Sequence, residues 1–345
     1  MTDETIRIGF VGAGGIAKTR HLPGFKAIDG VELVSVSNRS RESSQRVADE
    51  WHIPTVYDSW ADLIASPDTN AICIGTWPYM HRPMVLAALA HDKHVLCEAR
   101  MAMNSTEARE MLDASREKPD LVTQLVPPPF TQDVDDTIID LIGNGYLGDL
   151  LAIDISIGAG FLDRDRPFNW RDDREVSGNN VMLLGAWYEA IMGQVGPASS
   201  VKSISRVNVK WRNDDTGARR SVAVPDHVEV ICDMVSGPVL HMRVTTVLGL
   251  APEDAIWYHG TEGTLRQNSS LGLYGGRKGE DQLSKIEIRP EMKGGWRVEQ
   301  EFVNAIRGEE AVTHSTFSDG VKYMEFTDAV LISAQSGETV SLPMA

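Results

Sequence analysis

Short apolar runs alternate with amphipathic stretches through the first 126 residues. The apolar runs, each the length of one buried strand, cover residues 6–11, 31–37, 71–75, 94–98 and 121–126. The stretches with helical periodicity include residues 41–51, 80–91 and 105–118. Strands and helices that alternate at this spacing predict parallel strands joined by crossover helices. Residues 1–126 are therefore predicted to form a doubly wound α/β domain.

The pattern changes after Pro127-Pro128-Pro129. Residues 150–158 alternate, with Ile153 and Ile155 on one face and Asp154 on the other, as in a half-solvated antiparallel strand. Further strand-like runs cover residues 199–211, 227–235, 238–248, 255–260 and 283–288, and helical patterns cover residues 131–143, 296–307 and 319–335. Residues 127–345 are therefore predicted to be an α+β domain with a large, mainly antiparallel sheet.

Composition narrows the classes of partner. A net charge of −16 argues against nucleic acid or an anionic membrane surface, because both attract Lys and Arg. No apolar run approaches the roughly 20 residues that span a bilayer, and the N-terminus lacks a signal-peptide pattern, so we expect a cytoplasmic protein. Cys73, Cys97 and Cys232 lack the spacing of a metal site and are expected to be buried thiols. The expected partner is a small molecule, with no metal.

A glycine-rich turn follows the first predicted strand and opens a helix. Gly12, Gly14 and Ala17 have GxGxxA spacing, which allows a tight turn, a close approach to a pyrophosphate and close contact between helix and strand. The N-terminus of the helix would offer free N–H groups to the phosphates. The motif predicts a dinucleotide site formed by Gly12, Gly14, Gly15, Ile16 and Ala17.

The end of the second predicted strand bears on the choice of nucleotide. An NAD site usually has Asp or Glu there to hold the ribose 2′-hydroxyl group. Here the strand ends in Ser37, Asn38 and Arg39, followed by Ser40 and Arg41, so it offers cations and hydroxyl groups in place of an acid. We predict NADP as the cofactor. The alternative is an NAD site beside which Arg39 and Arg41 are surface residues.

Four stretches resemble the Gfo/Idh/MocA oxidoreductase family. They are GAGGIA near the N-terminus, GTWPYMH at 75–81, HVLCEARMAMN at 94–104, and FNWRDD with SGNN and LGAWYEA further on. The resemblance covers essentially the whole chain. It implies a Rossmann domain and an antiparallel-sheet domain whose free face often forms dimers or tetramers. It also implies NAD(P)-dependent oxidation or reduction of a carbohydrate, cyclitol or related polyol.

The chain departs from the family at its proton-transfer residues. In place of the family's Glu-Lys-Pro, the fifth strand ends in Glu98, Ala99 and Arg100. In the second-domain motif, Leu183 and Trp187 replace the usual Asp and His. Oxidation of a hydroxyl group needs a group that accepts its proton, and Ala, Leu and Trp cannot do so, while Arg is a poor base.

Several residues are candidates for the altered site. The resemblance implies that Glu98 contacts the nicotinamide ribose, and Thr76 and Trp77 are predicted to help position it. His81 is a further predicted cofactor-binding residue. His81 and Tyr188 are the predicted proton-transfer groups, with Arg100 as a further catalytic residue. Arg100, Arg171 and Trp187 are predicted to shape the substrate pocket. Glu189 and His21 are weaker candidates.

Three functions remain open from the sequence. The first is an NAD(P)-dependent oxidoreductase of a polyhydroxylated substrate with a non-standard acid/base set. The second is a lyase or glycosidase-type enzyme that retains its cofactor, oxidising and later re-reducing the substrate. The third is a nucleotide-binding relative without catalytic activity. The resemblance favours a homodimer or homotetramer in each case.

Overall fold

The protein divides into two compact units. The structure is a computed structural model that describes residues 5–158, 160–181, 183–251, 254–268 and 272–344. The first unit comprises the described residues up to Pro127 together with Arg297–Val321. The second comprises Pro128–Trp296 and the described residues from Lys322 onward.

The first unit contains a six-stranded parallel sheet. Its strands are β1 (Ile6–Val11), β2 (Val31–Ser37), β3 (Thr55–Val56), β4 (Ala71–Ile74), β5 (His94–Cys97) and β6 (Thr123–Leu125). Their order in the sheet is β3-β2-β1-β4-β5-β6, which is the doubly wound order of a dinucleotide-binding Rossmann domain. Strand β4 is buried along its whole length, as expected for a parallel strand with both faces covered. The predicted α/β domain is confirmed.

Helices connect these strands. They are a π-helical turn (Ala17–His21), α1 (Leu22–Lys26), α2 (Arg41–Trp51), α3 (Trp60–Ala65), a 3-10 turn (Pro78–Met80), α4 (His81–Ala90) and α5 (Ser105–Arg116). Ser40 caps α2 by accepting a hydrogen bond from the Ser43 amide. Asn104 caps α5 in the same way, through the Glu107 amide.

The remaining elements begin after Pro127. They are α6 (Asp135–Gly143), β7 (Leu150–Ile157), a 3-10 turn (Trp170–Asp172), α7 (Arg174–Ser177), α8 (Leu184–Val195), β8 (Ala198–Arg206), β9 (Trp211–Asn213), β10 (Arg219–Ser221), β11 (His227–Met234), β12 (Val239–Thr245), β13 (Ala255–Gly260), β14 (Gly263–Asn268), β15 (Gly272–Arg277), β16 (Ser284–Lys285), a 3-10 turn (Pro290–Met292), α9 (Val298–Arg307), α10 (Phe317–Ser336) and β17 (Val340–Ser341). Among the described residues, no helix is both long and apolar enough to cross a membrane.

The second unit contains a nine-stranded sheet. Its order is β16-β15-β14-β13-β7-β12-β11-β8-β17. Strands β7 and β12 are parallel, and the other neighbouring pairs are antiparallel. Ile153, Ile155 and Ile157 of β7 are buried on one face, as the alternating pattern predicted. The mainly antiparallel second sheet is therefore confirmed.

Some strand boundaries differ from the predictions. The predicted strand at 199–211 ends at Arg206 as β8, and only Ser284–Lys285 of the run at 283–288 pairs as a strand. Strands β14 and β15 were not predicted, because GTLRQN and GLYGGR lack a clear apolar alternation. Pairing with their neighbours in the sheet, rather than intrinsic propensity, makes these segments strands.

The segment Arg297–Val321 returns to the first unit. The prediction from the sequence, with a single boundary at residue 126, places this segment in the second domain. The ring of Phe302 on α9 packs edge-on against Phe25 of α1, with 6.2 Å between centroids. In the same unit, the Gln124 amide donates to the Glu301 carboxylate at 2.6 Å. These contacts join positions far apart in sequence, which a local pattern cannot reveal.

Candidate functional site

The glycine loop brings two backbone turns into direct contact. Gly12, directly after β1, has a φ of +82°, which side chains other than that of glycine rarely adopt. A Cβ atom at this position would lie 2.8 Å from the amide nitrogen of Thr76 and 2.9 Å from the carbonyl carbon of Gly75. A Cβ atom on Gly75 would likewise lie 2.6 Å from the carbonyl oxygen of Gly12. The loops after β1 and β4 therefore require glycine at both positions.

The helix after this loop presents its N-terminus at the carboxyl edge of the sheet. The Lys18 amide makes a helical hydrogen bond to the Gly14 carbonyl group at 3.0 Å, so the amides of residues 15–17 precede that bond. Such amides have no partner within the helix and, with the helix dipole, favour an anion. Ala17 is buried against the sheet at 3% exposure, whereas Ile16 is exposed.

A cleft of about 550 Å³ lies in the first unit along this edge. Its walls come from the glycine loop, the end of β2 with the start of α2, and the loop after β4. Of the predicted residues, it brings together Gly12, Gly14, Ser37, Asn38, Arg39, Thr76 and Trp77. Gly15, Ile16, Ala17, His81, Glu98 and Arg100 are not among its described lining residues.

One end of the cleft carries arginine side chains. The Arg39 guanidinium lies 5.8 Å from the centroid of the Trp77 ring, within range of a cation–π interaction. Arg46 of α2 also lines the cleft and pairs with Glu42 at 2.5 Å. The sequence analysis missed Arg46 because it considered only the strand end. Arg41 instead pairs with Asp58 at 2.9 Å.

Asn38 joins the glycine loop to the start of α2. Its side-chain oxygen accepts a hydrogen bond from the Ala13 amide at 2.7 Å. Its side-chain nitrogen donates to the hydroxyl group of Ser43 at 3.1 Å and to the Ser43 carbonyl group. Asn38 thus lines the cleft while its amide group holds two loops together.

His81 lies inside the first unit rather than on the cleft wall. Its side chain is fully buried. Its Nε2 lies 3.0 Å from the carbonyl oxygen of Thr76, and its Nδ1 lies 3.0 Å from that of Arg100 and 3.2 Å from that of Met101. Burial lowers the pKa of His81 and outweighs the opposing effect of these carbonyl groups. His81 therefore joins the loops after β4 and β5. Its burial does not support the predicted role in proton transfer.

Tyr188 is a core residue of the second unit. It is 1% exposed, and its ring stacks on Phe326 with 3.7 Å between centroids. Its hydroxyl oxygen accepts a hydrogen bond from the Ala198 amide at 2.9 Å. Burial raises the pKa of Tyr188 far above its ordinary value. The prediction of Tyr188 as a proton-transfer group is not supported by this placement.

The predicted substrate residues belong to both units. In the first unit, Arg100 is half-buried and follows a cis peptide bond from Ala99. In the second, Arg171 is exposed and its guanidinium lies 4.2 Å from the Trp170 ring centroid. Trp187 is 5% exposed and stacks on Phe130 at 4.3 Å.

A buried histidine lies between two carboxylates in the first unit. His21, at the end of the π-helical turn, is fully buried. Its Nε2 lies 2.9 Å from Oε1 of Glu98, directly after β5, and its Nδ1 lies 2.5 Å from Oε1 of Glu299 on α9. Burial alone lowers the pKa of His21, but the hydrogen bonds and charges of Glu299 and Glu98 prevail and raise it to about 9. His21 was a weak candidate, and Glu299 was missed because it lies 278 residues away.

Two family models match the chain. The model described as an oxidoreductase family with an NAD-binding Rossmann fold, GFO_IDH_MocA, matches residues 6–125. The model described as the C-terminal alpha/beta domain of the same oxidoreductase family matches residues 139–342.

Curated relatives and solved structures are also similar to the chain. It is 26% identical over 232 residues to trans-1,2-dihydrobenzene-1,2-diol dehydrogenase of Bos taurus, covering 67% of this chain and 64% of that protein. It is 29% identical over 153 residues to inositol 2-dehydrogenase of Gluconacetobacter diazotrophicus, covering 43% of this chain and 44% of that protein. A structure of levoglucosan dehydrogenase in complex with NADH and L-sorbose has a TM-score of 0.87 at 20% identity, covering 98% of this chain and 99% of that one. At 20% sequence identity, this similarity shows only that the two chains share a fold.

Proposed function

The chain belongs to the Gfo/Idh/MocA oxidoreductase family, and from this we propose that it is an NADP-dependent dehydrogenase or reductase of a polyhydroxylated small molecule. The observation that carries the proposal is the cleft of the first unit, which is lined both by the glycine loop and by the residues at and after the end of β2, including Arg39. Two of the relatives named above are dehydrogenases of trans-1,2-dihydrobenzene-1,2-diol and of inositol. A carbohydrate or cyclitol is therefore the substrate class we propose.

The first unit fits a dinucleotide. The obligatory glycines at positions 12 and 75 keep side chains out of the turn, and residues 15–17 open the helix with amides available to a pyrophosphate. Thr76 and Trp77 form the wall after β4, and Glu98 follows β5 beside them, since its amide donates to the carbonyl group of Ile74 at 2.9 Å. When bound, the nicotinamide ring supplies or accepts a hydride. The proposed task of Glu98 is to accept hydrogen bonds from the ribose next to that ring.

The preference for NADP rests on charge at the adenosine end of the cleft. A 2′-phosphate adds negative charge, which arginine stabilises and a carboxylate at the strand end would repel. Arg39 and Arg46 line this end, Arg46 in an ion pair with Glu42, and Asn38 stands where NAD-binding Rossmann folds usually have an acid. Asp58 also lines the cleft, but Arg41 pairs with it and offsets its charge.

We expect Arg39→Ala to weaken NADPH binding by about 10- to 100-fold, the cost of one hydrogen-bonded charge pair. NADH affinity should change less than about twofold, because NADH lacks the 2′-phosphate group. The measurement is fluorescence or calorimetric titration of both coenzymes. Arg82→Ala is the matched control, since Arg82 pairs with Glu110 and is not among the described residues of the cleft wall. Equal losses for the two coenzymes would show that Arg39 does not recognise the phosphate.

Arg100 of the first unit is a proposed substrate-binding residue. In the second unit, Arg171 and Trp187 have the same proposed role. A guanidinium can donate several hydrogen bonds in a plane, which suits an oxygen-rich or anionic substrate. The proposed reaction is tested by incubating the protein and NADP with a panel of sugars, cyclitols and sugar acids, and NADPH with the corresponding carbonyl compounds. A change in the absorbance of reduced nicotinamide with at least one substrate supports the proposal. Tight coenzyme binding without such a change across the panel contradicts it.

A second candidate function follows from the replaced residues. Ala99, Leu183 and Trp187 stand where the family carries the Lys, Asp and His that transfer protons. An enzyme that keeps its coenzyme and returns the hydride to the same substrate after elimination or hydrolysis has different proton requirements. Coenzyme that stays with the protein through purification, together with turnover but no net absorbance change, would favour this candidate.

We also propose that the protein forms a homodimer or homotetramer. In the second unit, Ile204 and Ile231 are 56% and 54% exposed. They lie on the face of the nine-stranded sheet opposite the buried residues Val228 and Val230. Light scattering after size-exclusion chromatography measures the mass directly, and a monomer at micromolar concentration would contradict this part of the proposal.

A further inference from the structure

We infer that His21 and Glu299 form a buried clamp that positions Glu98 as an ionised acceptor for the nicotinamide half of the coenzyme; this inference rests on the proposed function. Glu98 Oε1 lies 2.9 Å from His21 Nε2, and its Oε2 accepts a hydrogen bond from the Ala99 amide at 3.2 Å. The side chain of Glu98 is 15% exposed. Both oxygens are therefore anchored in a carboxylate that retains access to solvent beside the loop after β4.

Two local features of the first unit position the side chains of the clamp. The π-helical turn Ala17–His21 interrupts the helix that follows the glycine loop, and such turns occur often at functional sites. In α1, the absence of a side chain at Gly24 makes room for Glu299, since a Cβ atom there would lie 2.7 Å from Glu299 Oε2. Glycine within a helix costs about 1 kcal/mol relative to alanine. The space that Gly24 leaves for the Glu299 carboxylate is a physical reason for a glycine at this position.

The positive charge of His21 explains how the Glu299 carboxylate influences Glu98. Burial alone would raise the pKa of Glu98, but the hydrogen bond and charge of His21, with the Ala99 amide, lower it. Glu98 faces His21 from the end of β5, and Glu299 faces it from α9. Together they hold the imidazole in its charged form, with one N–H group directed at each carboxylate. Glu299 therefore acts on Glu98 through His21.

Among the described residues, three further titratable groups interact with the carboxylates of the clamp or of Glu98. Burial raises the pKa of the thiols of Cys73 and Cys97, and it lowers the pKa of His81, which lies close enough to influence Glu98. At neutral pH the positive charge of the cluster therefore lies on His21, and the loss of its proton removes that charge as the pH rises.

The clamp predicts an alkaline limit to coenzyme binding. The pKa of His21 is raised from 6.5 to about 9, so its charge is present at pH 7 and is lost as the pH rises through about 9. Stability from the clamp is likewise complete below pH 6.5 and lost toward pH 9. We expect NADPH affinity of the wild type to fall above pH 9 relative to that of adenosine 2′,5′-bisphosphate, which contains only the adenosine half.

The decisive experiment is a double-mutant cycle with these two probes. His21→Gln is expected to weaken NADPH binding about tenfold and to change the affinity for the bisphosphate less than about twofold. Glu98→Gln should have a similar effect, and the double variant should add little to it, because both act at one contact. Glu299→Gln serves as a second variant if His21→Gln does not fold, and it should shift the alkaline limit to lower pH.

The other possible results distinguish failure of the clamp from failure of the proposed function. Equal weakening of both probes, additive losses in the cycle, or an unchanged alkaline limit in Glu299→Gln would overturn the clamp. If wild-type protein binds both probes and His21→Gln matches it, only this inference fails. If the wild type binds neither probe, the proposed function fails with it.

Discussion

Gly12→Ala is expected to weaken dinucleotide binding by more than about 100-fold, because the added Cβ atom must displace the backbone that forms the cleft. The Cβ atom would meet the Thr76 amide nitrogen at 2.8 Å, and the backbone φ of +82° already disfavours alanine. A residue held in such a conformation costs about 1–3 kcal/mol, so the free energy of unfolding should fall as well. Titration with NADPH and denaturant unfolding measure the two effects separately.

Gly15→Ala is the matched control for stability. It lies in the same loop, its φ is not positive, and a Cβ atom there meets nothing within 4 Å in the first unit. Stability should be unchanged or slightly higher, since alanine favours the helix that begins here. If Gly12→Ala binds NADPH as tightly as the wild type does, the close approach of the loops after β1 and β4 does not shape the binding site.

Tyr188→Ala is expected to destabilise the protein by about 3–5 kcal/mol, the usual cost of removing a large buried aromatic side chain. The ring is stacked on Phe326 and its hydroxyl oxygen accepts the Ala198 amide hydrogen bond. Tyr188→Phe keeps the ring but leaves that buried amide without its partner, at a cost of about 1–3 kcal/mol. Thermal or denaturant unfolding of the three proteins would measure this order.

The same pair of variants separates a core role from a catalytic one. With a core role, folded Tyr188→Phe should retain kcat within about twofold, because the hydroxyl group would contact no substrate. A catalytic acid or base typically contributes about 10²–10⁴-fold to the rate. A loss of that size in Tyr188→Phe, with the fold intact at the assay temperature, would restore the prediction made from the sequence.

Local periodicity predicted five of the six strands of the parallel sheet and missed the short strand β3. The runs that became β1, β4 and β5 are mostly apolar and buried because both faces of a parallel sheet are covered. The glycine spacing also located the turn at Gly12, since only one residue type suits that backbone conformation. In both cases the physical cause acts within a few consecutive residues.

Contacts between residues far apart in the chain could not be predicted from the sequence. The partner of His21 on α9 lies 278 positions away, and no local pattern marks Glu299 as part of a site. His81 and Tyr188 were plausible proton carriers because side-chain chemistry is visible in sequence, whereas burial and hydrogen-bond partners are not. The core position of Tyr188 depends on Phe326 and Ala198, which are distant or belong to another element.

The double attachment of Asn38 constrains any redesign of coenzyme choice. Exchanging the residue at the end of β2 for an acid is the obvious route toward NAD. Asn38→Asp could still accept from the Ala13 amide, but it would lose the side-chain donor that holds Ser43 and would set a carboxylate against the Ser43 carbonyl group. An engineer, or natural selection, has more freedom at Arg39 and Arg46, where a change of charge leaves the junction between the two loops intact.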